Sequence, residues 1–252
     1  MSCNRLKFLL NEYEYYSHNQ APLGGGSIPI GANCVYLNTV PSQNHNLQYY
    51  LGTDYENLEP PDTLAIFGLR DLLEVAGATS IAVIGADDPL FALNAQVFNT
   101  LVTLSDLKGL TNDDLYLTFD TFTQIKPYWL VLIFTTNVCR APVRKIMLGK
   151  SFSFERNPIL PVEYSLNMPT VEAVRNNIDI QMNFRALSDT SKLELINKML
   201  LNQDYINGAL IDTENLFLFN KKIMMFKLSD NTINIRPSGH GYDLTLGVQG
   251  IL

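Results

Sequence analysis

The sequence predicts a mainly β protein: a jelly-roll-like β-sandwich followed by a smaller α+β domain with one helix on an antiparallel sheet. Three observations predict it. Short apolar or alternating runs recur over residues 30–155 with polar turns between them, the pattern of buried and half-buried strands. Helical patterns long enough to connect parallel strands are missing from that stretch. Pro158, Pro161 and Pro169 then interrupt the chain, so that no central strand runs through residues 155–169, and a strand followed by a helix comes after them.

Residues Met1–Tyr16 contain RLKFLLNEYEYY, which reads as a first helix, as an arm that packs on a partner, or as a frayed leader. PLGGGSIP (Pro22–Pro29) places three successive glycines between prolines and reads as a hinge, so residues 1–29 are assigned to an N-terminal arm and linker. ANCVYLNTV then reads as a strand, and Ser42–Gln48 as a polar loop. Pro60 and Pro61 impose an extended entry into TLAIFGL (Thr63–Leu69). Asp71–Val75 suits a short helix stopped by Gly77, and ATSIAVIGADD gives another strand ending in a turn.

Gln96–Leu104 and Leu115–Phe122 continue the series; in LYLTFDTF, Leu115, Leu117 and Phe119 share one face of the alternation. The organising stretch is Tyr128–Lys150, YWLVLIFTTNVCRAPVRKIMLGK. Its dense run Trp129–Phe134 and its second run Val143–Leu148 are expected to form the central hairpin or cross-sheet pair of the sandwich, with the lone tryptophan anchoring the core. The sandwich is thus placed at residues 30–155.

Residues 156–252 form the second domain. In NIDIQMNFRAL, Ile178, Ile180, Met182 and Phe184 alternate with Asp179, Gln181, Asn183 and Arg185, the cleanest strand pattern in the chain. SDTSKLELINKMLL follows as a helix capped by Ser188 or Asp189, with Leu193, Ile196 and Leu200 as its apolar stripe and Leu195 and Met199 widening it; Leu193–Leu200 is expected to cover one sheet face. Leu216–Leu228 reads as a hairpin turning at Asn220–Lys222, and Thr232–Pro237 and Tyr242–Val248 complete the set.

Composition narrows the function classes. Charged residues make up 17% of the chain, below the usual quarter or so, and amides, hydroxyls and tyrosines carry the polarity, which suits a subunit packed against neighbours. A net charge of -7 argues against a surface built to coat nucleic-acid phosphates. Glu12 and Glu14 break any signal-peptide pattern in the first residues, and no apolar run is long enough to span a membrane, so a cytoplasmic setting is expected. Cys3, Cys34 and Cys139 match neither a disulfide framework nor a metal knuckle and read as small reduced hydrophobes.

Catalytic constellations are thin. His18, His45 and His240 fall in separate stretches read as loops and match no paired-ligand spacing. Asp87 and Asp88, like Asp113 and Asp114, suit a turn or a calcium loop better than an acid/base pair. Gly24–Gly26 lack the lysine and hydroxyl residue of a phosphate loop. No catalytic, cofactor-binding or metal-ligating residue is assigned, and no cofactor is expected.

The succession DTLAIFGL, GATSIAVIGADD, YWLVLIFTT and VRKIMLGKSFSFERNP resembles galactose-binding-like (discoidin-type) jelly rolls, in the version found in structural proteins of tailed bacteriophages. The points of likeness are the strand ending near Gly68, the strand at Ile81–Ile84, the pair Tyr128–Trp129, and Leu148–Gly149 followed by Arg156–Pro158. The resemblance implies a non-enzymatic virion protein of the tail, baseplate or neck, assembled in the host cytoplasm. Its partners would be other virion proteins and copies of itself, with no nucleic acid and no membrane. The loops at Ser42–Gln48, Asp87–Phe91 and Leu107–Asp114 lack the aromatic platform of sugar-binding members, so a carbohydrate-binding module for host-surface glycans, with calcium at Asp87 and Asp88, is the alternative. A hydrolase assembled from distant residues is the third.

Overall fold

The computed structural model describes residues 6–10, 15–19, 35–38, 41, 44–50, 62–67, 81–86, 96–102, 115–118, 128–135, 139–143, 146–167, 177–195, 207–212 and 223–251. Among these the fold is mainly β, with several antiparallel sheets and one short helix. Two compact units divide the chain: Met1–Asn11 together with Ser151–Leu252, and Glu12–Lys150.

The first unit is a seven-stranded sheet. Its strands are β1 (Lys7–Leu10), β12 (Ser151–Phe152), β13 (Glu163–Asn167), β14 (Asn177–Leu187), β15 (Asn207–Ile211), β16 (Ile223–Ser238) and β17 (Gly241–Ile251). They lie in the order β12-β1-β15-β16-β17-β14-β13, and every neighbouring pair is antiparallel. The alternation in β14 is realised as expected: Ile178, Ile180, Met182 and Phe184 are all buried, whereas Gln181 and Arg185 are exposed. Leu244, Leu246 and Val248 of β17 and Met224 and Phe226 of β16 join the same core.

Aromatic rings show how strongly this sheet coils. Phe154, just after β12 at one end of the strand order, meets Phe184 of β14 near the other end, with ring centroids 4.8 Å apart. Phe8 of β1 is stacked on Phe152 at 5.3 Å and edge-on to Phe154 at 5.5 Å and Phe226 at 6.1 Å. The twist of a many-stranded sheet permits such rolling, and edge-to-face rings reward it.

Here the N-terminal expectation is corrected. Lys7–Leu10 is neither helix nor free arm but a strand between β12 and β15, with Phe8 and Leu9 both fully buried. Leu9, Ala209, Ile211 and Ile223 lie on the face opposite Phe8 and are also buried, so this part of the sheet is covered on both sides. A strand covered on both sides carries a continuous apolar run, and FLL has no period to separate it from a helix. The boundaries therefore differ from 1–29, 30–155 and 156–252: the chain starts in the unit where it ends, and the division falls between Lys150 and Ser151.

Other expectations change in this unit. Glu163–Asn167, read as part of the interdomain break, is an edge strand, the place where prolines just before a strand are tolerated. Ile223–Leu228 and Thr232–Pro237 are one long strand, β16, whose pairing with β17 shifts register between Leu228 and Ile233. Asn207–Ile211 was not read as a strand at all. The turn expected at Asn220–Lys222 lies outside the described residues.

The helix α1 (Asp189–Leu195) begins where expected. Ser188 is its cap: the Ser191 amide donates to Ser188 Oγ at 3.4 Å and the Lys192 amide to the Ser188 carbonyl at 3.1 Å. The Ser188 amide itself donates to Glu155 Oε1. The expected cover is corrected in part, because Leu193 is 57% exposed while Ser191 is buried. The first turn is instead fixed by its cap and by Lys192, whose Nζ stands 4.1 Å from the centre of the Tyr242 ring. Ile196, Met199 and Leu200 lie outside the described residues.

The second unit holds β2 (Tyr15–Asn19), β3 (Val35–Asn38), β4 (Asn44–Tyr50), β5 (Thr63–Ile66), β6 (Ile81–Ala86), β7 (Gln96–Val102), β8 (Leu115–Thr118), β9 (Tyr128–Thr135), β10 (Arg140–Val143) and β11 (Ile146–Gly149). They form a five-stranded sheet β2-β4-β9-β6-β7, a three-stranded sheet β11-β5-β8 and the pair β10-β3. The dense run of the sequence is central, as β9 lies between β4 and β6.

Of the two arrangements expected for these runs, the hairpin does not form. β9 and β11 belong to different sheets, with Ile146–Gly149 paired to β5 and Arg140–Val143 to β3. A tract with Pro142 in it is confined to a short two-stranded ladder, and the run beyond it starts afresh. Ser42–Gln48, read as a loop, instead supplies most of β4, whose polar residues pair with the apolar β9. β5 is buried throughout, and its start is tied by the Asp62 amide donating to the Gly149 carbonyl at 3.1 Å and by Lys150 Nζ 3.3 Å from Asp62 Oδ2. Asp71–Val75 lies outside the described residues.

Candidate functional site

The outer face of the seven-stranded sheet divides in two. Where β1 and β15 lie it is buried; where β16, β17 and β14 run side by side it is open and polar. Alternation places Asn234 and Arg236 of β16, Asp243 and Thr245 of β17, and Gln181, Asn183 and Arg185 of β14 on this open face. Register aligns them in rows: Asn234 opposite Thr245 opposite Asn183, and Arg236 opposite Asp243.

A wall rises along one side. The segment from Ile159 to Pro161 precedes β13 and is tied to β14 by the Ile159 amide, which donates to the Asn183 carbonyl at 2.7 Å. Floor and wall enclose a cleft of about 530 Å³, within the range of small-ligand sites, roughly 300–1,000 Å³. Internal hydrogen bonds hold the floor: Thr245 Oγ1 donates to Asn183 Oδ1 at 2.9 Å, and the Ala186 amide donates to Asp243 Oδ1 at 3.0 Å.

The Asp243 contact arises from a break in the ladder. Pairing of β14 with β17 slips between Phe184 and Leu187, where Ala186 takes φ 52°. The bulge turns the Ala186 amide toward Asp243 and leaves Arg185 exposed at the same end of the cleft as Arg236. Gly241, with φ 132°, lets the opposing strand start against the Leu187 carbonyl, which a side chain there would strike.

The wall is apolar and open to solvent. Ile159 is 38% and Leu160 54% exposed; Tyr164 of β13, 36% exposed, stands opposite Ile180 and so belongs to the other face of the sheet. Burial of its ring, and secondarily the Asp212 carboxylate, pushes the Tyr164 hydroxyl above its usual range. Three of the four large hydrophobic side chains recorded as exposed among the described residues thus fall within six positions, 159–164.

Among the described residues no group of three His, Cys, Asp or Glu side chains is placed to hold a metal ion. His240 is exposed in the β16–β17 turn. His18 and His45, read as loop residues, stand in β2 and β4, where His18 lies opposite Leu47, two register positions from His45. Cys139 is free and exposed. Cys3, Cys34, Gly24–Gly26, Asp87, Asp88, Asp113 and Asp114 lie outside the described residues.

Sequence reasoning did not single out Arg185 or Arg236. The period-two pattern of β14 gave Arg185 a solvent-side place, but nothing local announced that β16 and β17 would lie beside it. No protein-family model, no curated protein and no solved structure matches the chain.

Proposed function

We propose that the chain is a non-enzymatic structural subunit of a tailed-bacteriophage virion, in the tail, baseplate or neck, assembled in the host cytoplasm. It works by packing against copies of itself and against neighbouring virion proteins. The observation that carries this reading is the exposed apolar pair Ile159 and Leu160, just before the outermost strand of the seven-stranded sheet. Apolar side chains gathered at a sheet edge mark a surface that a partner covers.

The second unit fits the same picture. Its antiparallel sheets of five, three and two strands, with β4, β9 and β6 as non-sequential neighbours, support the jelly-roll reading. The glycan-binding alternative is less favoured, because the sequence offers no aromatic platform in Ser42–Gln48, Asp87–Phe91 or Leu107–Asp114.

Light scattering on the full chain tests the packing reading. A discrete oligomer is expected, and Leu160→Asp should dissociate it while leaving the melting temperature unchanged. A monomer at every concentration, or an oligomer indifferent to Leu160→Asp, would overturn the assignment of this edge.

A further inference from the structure

We infer that the cleft on the outer face of β14, β17 and β16 receives an extended peptide segment from a protein partner, with a side-chain carboxylate of that segment seated between Arg185 and Arg236. The inference rests on the packing reading only for the origin of the peptide; the recognition itself follows from the cleft.

Charge placement is the first argument. Arg185 and Arg236 lie at one end with Asp243, and Asp243 has one oxygen taken by the Ala186 amide. Two guanidiniums against one carboxylate leave one positive charge to be matched. A monoanion matches it; a dianion overshoots and is repelled by Asp243. A guanidinium fork binds a carboxylate through two parallel hydrogen bonds, so two of them define a place for one.

Length and lining are the second. Glu163 stands opposite Gln181, and Arg185 lies four residues further along β14, so the cleft runs about 13 Å at roughly 3.3 Å per residue. That length accommodates four residues of extended chain. Gln181 and Asn234 offer amides that both donate and accept, as a peptide backbone requires. The wall at Leu160 and Pro161 gives an apolar contact for a flanking side chain, and Glu163 places a carboxylate at the far end. Glu163 disfavours a second acidic residue there, so the segment carries its carboxylate at one end only. A sugar acid would share the anion but would find no exposed aromatic ring to stack on.

The test is fluorescence anisotropy on the full chain with labelled Leu-Gly-Ser-Glu-Gly, amidated at its C-terminus so that the glutamate is its one carboxylate, and its amidated Leu-Gly-Ser-Gln-Gly counterpart. The Glu peptide should bind about tenfold or more tightly than the Gln peptide, the worth of one charge-assisted pair. The double substitution Arg185→Gln with Arg236→Gln should abolish the difference while the melting curve stays in place, since both side chains are exposed. Equal binding of the two peptides, binding that survives the double substitution, tighter binding of glucuronate than of the Glu peptide, or no binding would each overturn the inference. Oligomers without peptide recognition would leave the packing reading standing and remove the cleft; peptide recognition by a monomer would do the reverse.

Discussion

Replacing Phe8 with alanine tests the placement of the N-terminus more sharply than any other single change. The side chain is fully buried and touches three other rings, those of Phe152, Phe154 and Phe226. Truncating a buried phenylalanine costs about 3–5 kcal/mol through lost transfer energy and the cavity left behind. The aromatic pairs do not add their full worth on top, because the same atoms carry both terms. Against a total stability of roughly 5–15 kcal/mol, a cost of about 4 leaves the first unit marginal.

Urea unfolding followed by near-ultraviolet circular dichroism reads the effect. With a slope of about 2 kcal/mol per molar, the midpoint for the first unit should fall by about 2 M. Phe8→Leu retains most of the volume and should cost about 1.5 kcal/mol or less. If residues 6–10 were a free arm, Phe8→Ala would leave the midpoint where it was. A loss under about 1 kcal/mol, within the range of surface substitutions, would refute the assignment of β1 to the sheet. The same reasoning warns against removing the N-terminus to probe assembly, since deletion takes out a buried strand along with any contact surface.

Two further outcomes follow from local geometry. Gly241→Ala should destabilise by about 1–3 kcal/mol, because φ 132° and the Leu187 carbonyl both exclude a β-carbon, whereas Gly239→Ala, with open space around it, should stay within about 0.5 kcal/mol in the same melts. Tyr164 keeps its proton more firmly in the folded state than in the unfolded one, whose value is 10.0, so its contribution is complete below pH 10.0 and declines as pH rises beyond it. Thermal melts from pH 8 to 11 should therefore fall less steeply for Tyr164→Phe than for the parent chain, and identical slopes would discount the shift.

What the sequence disclosed depended on whether a signal was local. β14 was legible because a sheet buried on one face writes its period into the chain, and Ile178 to Phe184 obey it. Ser188 was legible as a cap for the same reason, one turn of helix being decided by its first residues. β1 was not, because a strand covered on both faces has no period. β4 was not, because its asparagines, histidine and glutamine become strand by pairing with β9, far along the chain. The Leu193 stripe misled because periodicity gives a helix an apolar side without saying what lies against its first turn. The cleft was least legible, since its residues come from β14, β16 and β17 and from the 159–161 segment, and only the register assembles them.

The sheet register also fixes what the second unit is to the first. Leu9 stands opposite Ser151 and Phe8 opposite Phe152, so the chain leaves the seven-stranded sheet from β1 and re-enters it on the adjoining antiparallel strand. Everything between, Glu12–Lys150, is an insertion whose two ends depart from neighbouring positions. Antiparallel neighbours need only a two-residue turn to join them. A chain of residues 1–9 joined through Asn-Gly to residues 151–252, which keeps Leu9 opposite Ser151, should therefore fold. Closing so short a loop also costs less than closing one of order 140 residues, by roughly (3/2)RT ln n, about 3–4 kcal/mol if the insertion were unfolded. A dispersed amide spectrum and a cooperative melt are expected, with Phe8→Ala again lowering the melt. A collapsed, non-cooperative product would show that the first unit draws essential stability from residues 12–150, and the division into two self-sufficient cores would have to be given up.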